Sequence, residues 1–219
     1  MTRGRNIFLI ILNVTMISIL VGKYIGCRNN DPVGPGGNHD SAKYGKGSMS
    51  FDATDAGGYF AASGKYIPSD QFADDSLSQG AGGFVYDTSI AGKPLRARFA
   101  GYTQRLTHGM LNERLIVFTL YDSLGPLSAG DYVFDLSDTA SSGKFAEVNF
   151  LFFSDSLSQY SVFEGKNGTL TLSLFNTASN HVQGTFSGTL QGVPPDTSIH
   201  IQISNGLFDI TFVKQYFNY

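Results

Sequence analysis

The stretch that decides the fold is Thr169-Leu-Thr-Leu-Ser-Leu-Phe175, which is followed closely by Val182-Gln-Gly-Thr-Phe-Ser-Gly-Thr-Leu190. Apolar or glycine residues alternate with polar ones in both segments, which is the period of a strand that buries one face. We expect Leu170, Leu172 and Leu174 to point inward and the hydroxyl groups between them to point outward. The second segment has an equivalent inward set, Val182, Gly184, Phe186, Gly188 and Leu190.

Turn signals flank these segments. Asn167-Gly168 is typical of a two-residue hairpin turn, because both residues tolerate positive φ. Ser204-Asn205-Gly206 predicts a second turn, which would make a final hairpin of the segments on either side of it. In that hairpin an alternating apolar set forms a core element, comprising Ile199, Ile201, Ile203, Leu207, Phe208, Ile210 and Phe212.

Short strand patterns separated by glycine, proline and aspartate turns continue back to Gly47, and no long helical period interrupts them. The chain has 18 Phe, 11 Tyr and no Trp, so phenylalanine and tyrosine supply the large core side chains. This pattern predicts an all-β fold of roughly ten to twelve short strands. It leaves open an antiparallel β-sandwich or a curled, partly closed β-barrel, with a slight preference for the sandwich or a curled two-layer sheet.

The first 27 residues have the order of a secretory signal. Arg3 and Arg5 precede an apolar run that starts at Ile7, and the run closes on Gly26 before Cys27. The run is too short and too often interrupted by polar residues for a typical spanning helix. We therefore predict a signal peptide over residues 1–26, a flexible Asn-, Gly- and Pro-rich tether over 27–46, and a single β domain over 47–219.

Cys27 is the only cysteine in the chain, so it cannot form an intramolecular disulfide. Ile25-Gly26-Cys27 resembles the lipobox of bacterial lipoproteins, although Tyr24 stands where that motif usually has Leu and Lys23 is an unusual charge there. The resemblance implies acyl chains such as palmitate on Cys27, anchorage to the membrane of the bacterial cell envelope, and, because Arg28 rather than Asp follows, a preference for the outer membrane. An uncleaved N-terminal anchor is the alternative.

A second resemblance covers about Leu95 to Phe212. The segments Ser128-Ala-Gly-Asp-Tyr-Val-Phe, Gly168-Thr-Leu-Thr-Leu, Val182-Gln-Gly-Thr-Phe-Ser-Gly and Ile203-Ser-Asn-Gly-Leu-Phe-Asp resemble an uncharacterised family of lipoprotein β domains common in Bacteroidetes-like bacteria. These motifs are turn and core patterns rather than sites. The resemblance therefore implies a small secreted β domain and no particular activity.

The charge balance excludes one class of partner. The formal net charge is −3, and the predicted signal peptide contains Arg3, Arg5 and Lys23 without any acid, so the remaining chain is more acidic still. No basic face is visible, which argues against nucleic-acid binding. No cofactor motif occurs either.

Candidate binding residues are few. Tyr86, Tyr102 and Tyr121 lie at or near predicted strand ends, where exposed rings could stack on a glycan, by analogy with sugar-binding β-sandwiches. Asp70, Asp74 and Asp75 crowd a polar loop that is either a weak calcium site or, as we prefer, a solvated acidic loop. His108, His181 and His200 are too widely separated to predict a metal cluster.

Three function classes remain. We favour a non-catalytic, envelope-anchored module that binds a glycan or an envelope protein. A glycosidase-like hydrolase with dispersed carboxylates, such as Asp131, Asp135 and Glu147, is the alternative, and it would need two carboxyl groups facing each other across a groove. A purely structural spacer is the third.

Overall fold

The structure, a computed structural model, describes residues 45–54, 58–66, 77–87, 94–107, 110–123, 125–134, 143–154, 159–194 and 197–216. All of them belong to one compact unit, Asp40–Tyr219. The predicted signal peptide, Cys27, nearly all of the tether, the Asp70–Asp75 loop, His108 and Asp135 lie outside the described residues. Within these ranges no helix is long and apolar enough to cross a membrane.

In the described part of the chain, eleven strands form one sheet. They are β1 (Lys46–Ala53), β2 (Gly58–Lys65), β3 (Leu77–Asp87), β4 (Pro94–Thr107), β5 (Met110–Asp122), β6 (Gly130–Phe134), β7 (Lys144–Ser154), β8 (Gln159–Asn176), β9 (His181–Gly192), β10 (His200–Thr211) and β11 (Val213–Tyr216). Their order across the sheet is β11-β3-β4-β5-β7-β6-β8-β9-β10-β1-β2, and β8 pairs with both β7 and β6. Pairing is antiparallel except between β6 and β7 and between β11 and β3.

The sheet is curled into a half-barrel around a single aromatic core. Phe51 of β1 packs edge-on against Phe150 of β7 at 5.8 Å between ring centroids. Phe99 of β4 stacks on Phe208 of β10 at 6.1 Å. These strands are far apart in the sheet order, so their inner faces must curve toward each other. The all-β class, the strand number and the curled, partly closed form are confirmed, and this form is present instead of the slightly preferred sandwich.

Several strands are longer than predicted, because both predicted turns lie inside continuous strands. Asn167-Gly168 falls in β8, which runs for 18 residues. The register of β8 against β9 shifts between Gly165 and Asn167, as expected for a bulge. Neither residue of the Asn-Gly pair has positive φ. The predicted hairpin turn is therefore wrong.

Gly168 serves packing instead. A Cβ at this position would lie 2.5 Å from Cδ2 of Phe134, whose ring covers it. The same pairing of glycine with phenylalanine recurs across neighbouring strands, where Gly184 faces Phe208 and Gly206 faces Phe186. A glycine under an aromatic ring lets the ring lie flat on the sheet. This pairing explains how a core without tryptophan is filled.

The predicted final hairpin is also one strand, β10, with a bulge between Ile203 and Gly206. Asn205 adopts φ of 53° there, whereas Gly206 does not have positive φ. The extra residue changes the alternation, so Ile203 and Phe208 both face the core. Leu207, predicted to be buried, is 56% exposed, and Ile199 is 47% exposed. Ile201, Ile210 and Phe212 are buried as predicted.

Tyr132 stabilises the turn before β6 through two hydrogen bonds. Its hydroxyl donates to the Ser128 carbonyl at 2.8 Å and accepts from the Ser128 amide at 3.2 Å. Burial raises the pKa of Tyr132 to about 12. Lys144 covers the same turn, with Nζ 2.7 Å from the Ala129 carbonyl. The Ser-Ala-Gly-Asp-Tyr motif therefore holds β6 beside β8, which places Asp131 and Val133 next to Thr171 and Thr169.

Candidate functional site

The outer face of β8 and β9 carries a two-by-two array of hydroxyl groups. Thr171 of β8 pairs with Thr185 of β9, and Thr169 pairs with Ser187. Along each strand the two residues are separated by one inward-pointing residue, so all four side chains share the outer face. We call these four residues the hydroxyl array.

Strands on both sides continue the array with polar and apolar groups. On β6, Asp131 pairs with Thr171 and Val133 pairs with Thr169. On β10, Leu207 pairs with Thr185. Val133 is 59% exposed and Leu207 is 56% exposed. The array is therefore flanked by one exposed apolar side chain on each side.

An open groove of about 400 Å³ runs over this surface. Its lining consists of Thr169, Thr171, Thr185, Phe186, Ser187, Asn205, Gly206 and Leu207. The volume falls in the range of small-ligand pockets, about 300–1,000 Å³. None of the described lining residues is charged, so they form a polar but neutral surface.

Two carboxylates at its borders are already engaged. Thr171 donates a hydrogen bond to Asp131 at 2.7 Å. Asn205 donates through Nδ2 to Asp52 at 2.8 Å, which anchors the bulge that brings Asn205 to the groove. In the described part of the chain, the hydroxyls of Thr169, Thr185 and Ser187 have no hydrogen-bond partner.

The three tyrosines proposed for sugar stacking lie elsewhere. Tyr102 is only 4% exposed, and Tyr66 packs edge-on against its ring, so it has no ring face to offer. Tyr121 stacks on Phe145 at 4.7 Å, and the guanidinium of Arg96 lies 5.0 Å from the Tyr121 ring centroid. Both rings therefore take part in packing within the chain.

Tyr86 is described only through its backbone, which pairs with Arg96 on β4. Its side chain lies outside the described part of the structure.

The carboxylates named for a hydrolase do not meet. Asp131 borders the groove on β6, Asp135 lies outside the described residues, and Glu147 is on β7. The structure instead brings Glu147 near Glu164, a residue that the sequence did not single out. Glu164 pairs with Asn149, which is two residues from Glu147 on the same face of β7.

This acidic pair belongs to a polar cluster on the outer face. Asn149 is 1% exposed and donates to Glu147 at 3.2 Å. The Tyr121 hydroxyl donates to the other oxygen of Glu147 at 3.5 Å. Burial raises the pKa of Glu164, and the nearby charge of Glu147 raises it further. The raised pKa of Glu164 favours its protonated form, which is the form in which a carboxyl serves as the acid of a hydrolase.

The histidines are dispersed. His181 contacts Asp209 at 2.7 Å, and Gln183 donates to the second oxygen of Asp209 at 2.7 Å. His200 is exposed at the opposite end of β10. Among the residues that the structure describes, no three His, Cys, Asp or Glu side chains are grouped so that they could hold a metal ion.

The groove was missed by sequence reasoning, although its hydroxyl groups were predicted to face outward. The alternation of apolar and polar residues in β8 and β9 predicts that these hydroxyl side chains point outward. Nothing local to either strand indicated that β6 and β10 would place Val133 and Leu207 beside them.

No protein-family model, no curated protein and no solved structure matches this chain.

Proposed function

We propose that this protein is a non-catalytic binding module, lipid-anchored through Cys27 in the bacterial cell envelope, and that its ligand occupies the groove over the hydroxyl array. The groove is the observation that carries the proposal. It combines three hydroxyl groups without a described partner with exposed apolar side chains on both sides, Val133 and Leu207. A few convergent polar groups beside apolar contacts are typical of small-ligand sites.

The lining chemistry supports binding rather than catalysis. Among the residues that the structure describes, no carboxylate, histidine, lysine or cysteine lines the groove. The paired acids, Glu147 and Glu164, lie away from it, because Glu164 precedes Thr169 by five positions along β8, about 16 Å of strand. A ligand in the groove would therefore meet hydrogen-bonding groups but neither an acid–base pair nor a nucleophile of ordinary reactivity.

A groove-blocking substitution tests the proposal. The full chain, solubilised in detergent, is used to capture ligands from envelope extract, beside Thr185→Tyr and Thr211→Tyr. Thr185 is an exposed residue of the array, and Thr211 is an exposed threonine on the same face of β10, four positions beyond Leu207. We expect Thr185→Tyr to lose the captured ligand and Thr211→Tyr to retain it.

Equal capture by all three proteins would contradict binding in the groove. Capture of nothing by any of them would favour the structural spacer.

The anchor is supported by the position of Cys27 after Gly26 and by its being the only cysteine. Labelling cells with a palmitate analogue should mark the wild-type protein and leave Cys27→Ser unmarked. The variant should also leave the membrane fraction unless the signal stays uncleaved. Equal labelling of both proteins would contradict lipidation at this residue.

A hydrolase is the second candidate, and the Glu147–Glu164 pair is the observation that favours it. In that function Glu164 would donate the proton and Glu147 would act as the base or nucleophile. Hydrolysis of envelope glycans by the wild type, lost in Glu164→Gln but unaffected in Thr185→Tyr, would replace the binding proposal with this one.

A further inference from the structure

We infer that the groove takes a short, neutral saccharide segment, with its hydroxyl groups over the array and its C–H faces against Val133 and Leu207. This inference rests on the proposed function and adds the chemical class of the ligand.

The hydrogen-bonding groups of the groove match a sugar. Each hydroxyl of the array both donates and accepts, as sugar hydroxyls do. Cross-strand neighbours in the array lie about 5 Å apart, and neighbours along a strand about 7 Å apart. Thr171 already donates to Asp131, so its hydroxyl is oriented to accept from the ligand. The hydroxyls of Thr169, Thr185 and Ser187 have no partner among the described residues and can turn either way.

Val133 and Leu207 determine how long the ligand is and where it makes apolar contacts. Val133 on β6 and Leu207 on β10 are separated by three strand spacings, about 14 Å. Each exposes more than half of its surface, 59% and 56% respectively. The C–H face of a sugar ring is apolar, so one ring would cover Leu207 in the groove, and a second ring that extends past Thr169 would cover Val133 on the next strand. The groove volume of about 400 Å³ suits a short oligosaccharide segment.

Charge narrows the class to neutral saccharides. Among the described residues the lining contains no cation, and two charged groups at its borders, Asp131 and Asp52, are acids. A phosphate or uronate in the groove would face these carboxylates without a counter-charge. Each of these two acids already accepts one hydrogen bond from the chain, and among the described residues no acid lines the groove itself, so a cationic group inside it would also lack a counter-charge.

The position of the groove argues against an extended peptide. Peptides that add to a sheet pair with the free edge of an outer strand. Here β8 and β9 are interior strands whose backbones pair on both sides. The backbone groups of these two strands are engaged in the sheet, and the four hydroxyl side chains that they place in the groove suit hydroxyl ligands.

The test uses the detergent-solubilised full chain on a glycan array, followed by calorimetric titration. The probes are neutral hexose oligomers, N-acetylhexosamine oligomers and uronic acid oligomers of equal length. We expect binding of a neutral oligomer and at least tenfold weaker binding of the uronic acid oligomer. Thr185→Val removes one hydroxyl at nearly constant volume and should weaken the neutral ligand by about tenfold. Thr211→Val, the matched control, should leave the affinity unchanged.

The outcomes separate this inference from the proposed function. Preference for the uronic acid oligomer, or equal affinity of wild type and Thr185→Val for a neutral one, overturns the saccharide inference. Absence of saccharide binding, with envelope capture still lost in Thr185→Tyr, overturns the inference and leaves a binding groove for another ligand. If the protein binds no saccharide and Thr185→Tyr captures the same envelope ligands as the wild type, the inference and the proposed function are both overturned.

Discussion

Gly168 gives the sharpest test of the fold, because two accounts of this residue predict different results. In a hairpin turn it would supply positive φ. In the structure it lies in β8 under the ring of Phe134, and an added Cβ would be 2.5 Å from Cδ2 of Phe134 and 2.5 Å from the Ser187 carbonyl oxygen. Ordinary contacts between carbon atoms are about 3.5–4.0 Å. The ring must therefore move by about 1 Å to admit a methyl group.

The expected cost of Gly168→Ala follows from this contact. Overpacking a core by a small group costs about 1–3 kcal/mol. For a domain of this size, about 2 kcal/mol corresponds to a fall in Tm of about 4–8 °C. Gly125→Ala is the control, because a Cβ at Gly125 would meet nothing within 4 Å. Its Tm should stay within about 2 °C of wild type.

Gly168→Asn distinguishes the two accounts. Asparagine accepts positive φ readily, so in a turn it would be tolerated better than alanine. Under Phe134 it is larger than alanine and should destabilise at least as much. Phe134→Leu should reduce the additional cost of Gly168→Ala, since the two residues are in contact. Thermal unfolding in which Gly168→Asn is more stable than Gly168→Ala would refute the continuous strand.

The remaining predictions concern the last strand and the acidic pair. Ile210→Ala should lower the free energy of unfolding by about 2–5 kcal/mol, because Ile210 is fully buried. Asp209→Ala on the exposed face should cost less than about 1 kcal/mol in urea unfolding, and the reverse order would mean that the facing of β10 is inverted. Because burial and Glu147 raise the pKa of Glu164, the native state binds this proton more tightly than the unfolded state. The stabilising effect is therefore present below the unfolded-state pKa and is lost as pH rises through the folded-state pKa. Glu164→Gln should remove this pH dependence and stabilise the protein at neutral pH, and an unchanged pH profile would contradict the assignment. The pH dependence of stability due to Asp209 runs in the opposite direction, because its hydrogen bond from His181 lowers its pKa. Its small contribution to stability is therefore lost as the pH falls to acidic values. A pH profile of unfolding for Asp209→Ala that matched the wild type at acidic pH would contradict this.

Local alternation of apolar and polar residues predicts correctly which side chains face the core, as long as no bulge interrupts the strand. In β9 the alternation predicts the inward set from Val182 to Leu190, and in β10 it places Ile210 and Asp209 on the correct faces. Bulges were not predictable, because each depends on the neighbouring strand. The extra residue near Asn205 exposes Leu207, and the register shift between Leu172 and Leu174 leaves Leu174 only partly buried.

The Asn-Gly signal failed for a physical reason. Glycine is selected both for positive φ and for close approach of a side chain, and a single sequence does not separate the two. At Gly168 glycine is required by the close approach of the Phe134 ring and not by positive φ. Phe134 is 34 positions earlier in the chain, so the local sequence does not show this contact. The groove was not predictable for a similar reason. Its hydroxyl groups lie on β8 and β9, but the residues on either side of them come from β6 and β10, and the sequence does not show that these strands are neighbours. The position of a tyrosine near a strand end does not encode contacts such as the stacking of Phe145 on Tyr121.

The central claim, a ligand-binding groove on the outer face of β8 to β10, is tested most directly by locating the bound ligand. Backbone amide shifts of the isotope-labelled full chain in micelles would be followed during titration with the captured ligand. We predict that the shifts cluster at 169–171, 185–187 and 205–207, and that Thr185→Tyr abolishes them. A cluster of shifts around Tyr121, Glu147 and Glu164, with none in those three segments, would contradict the claim.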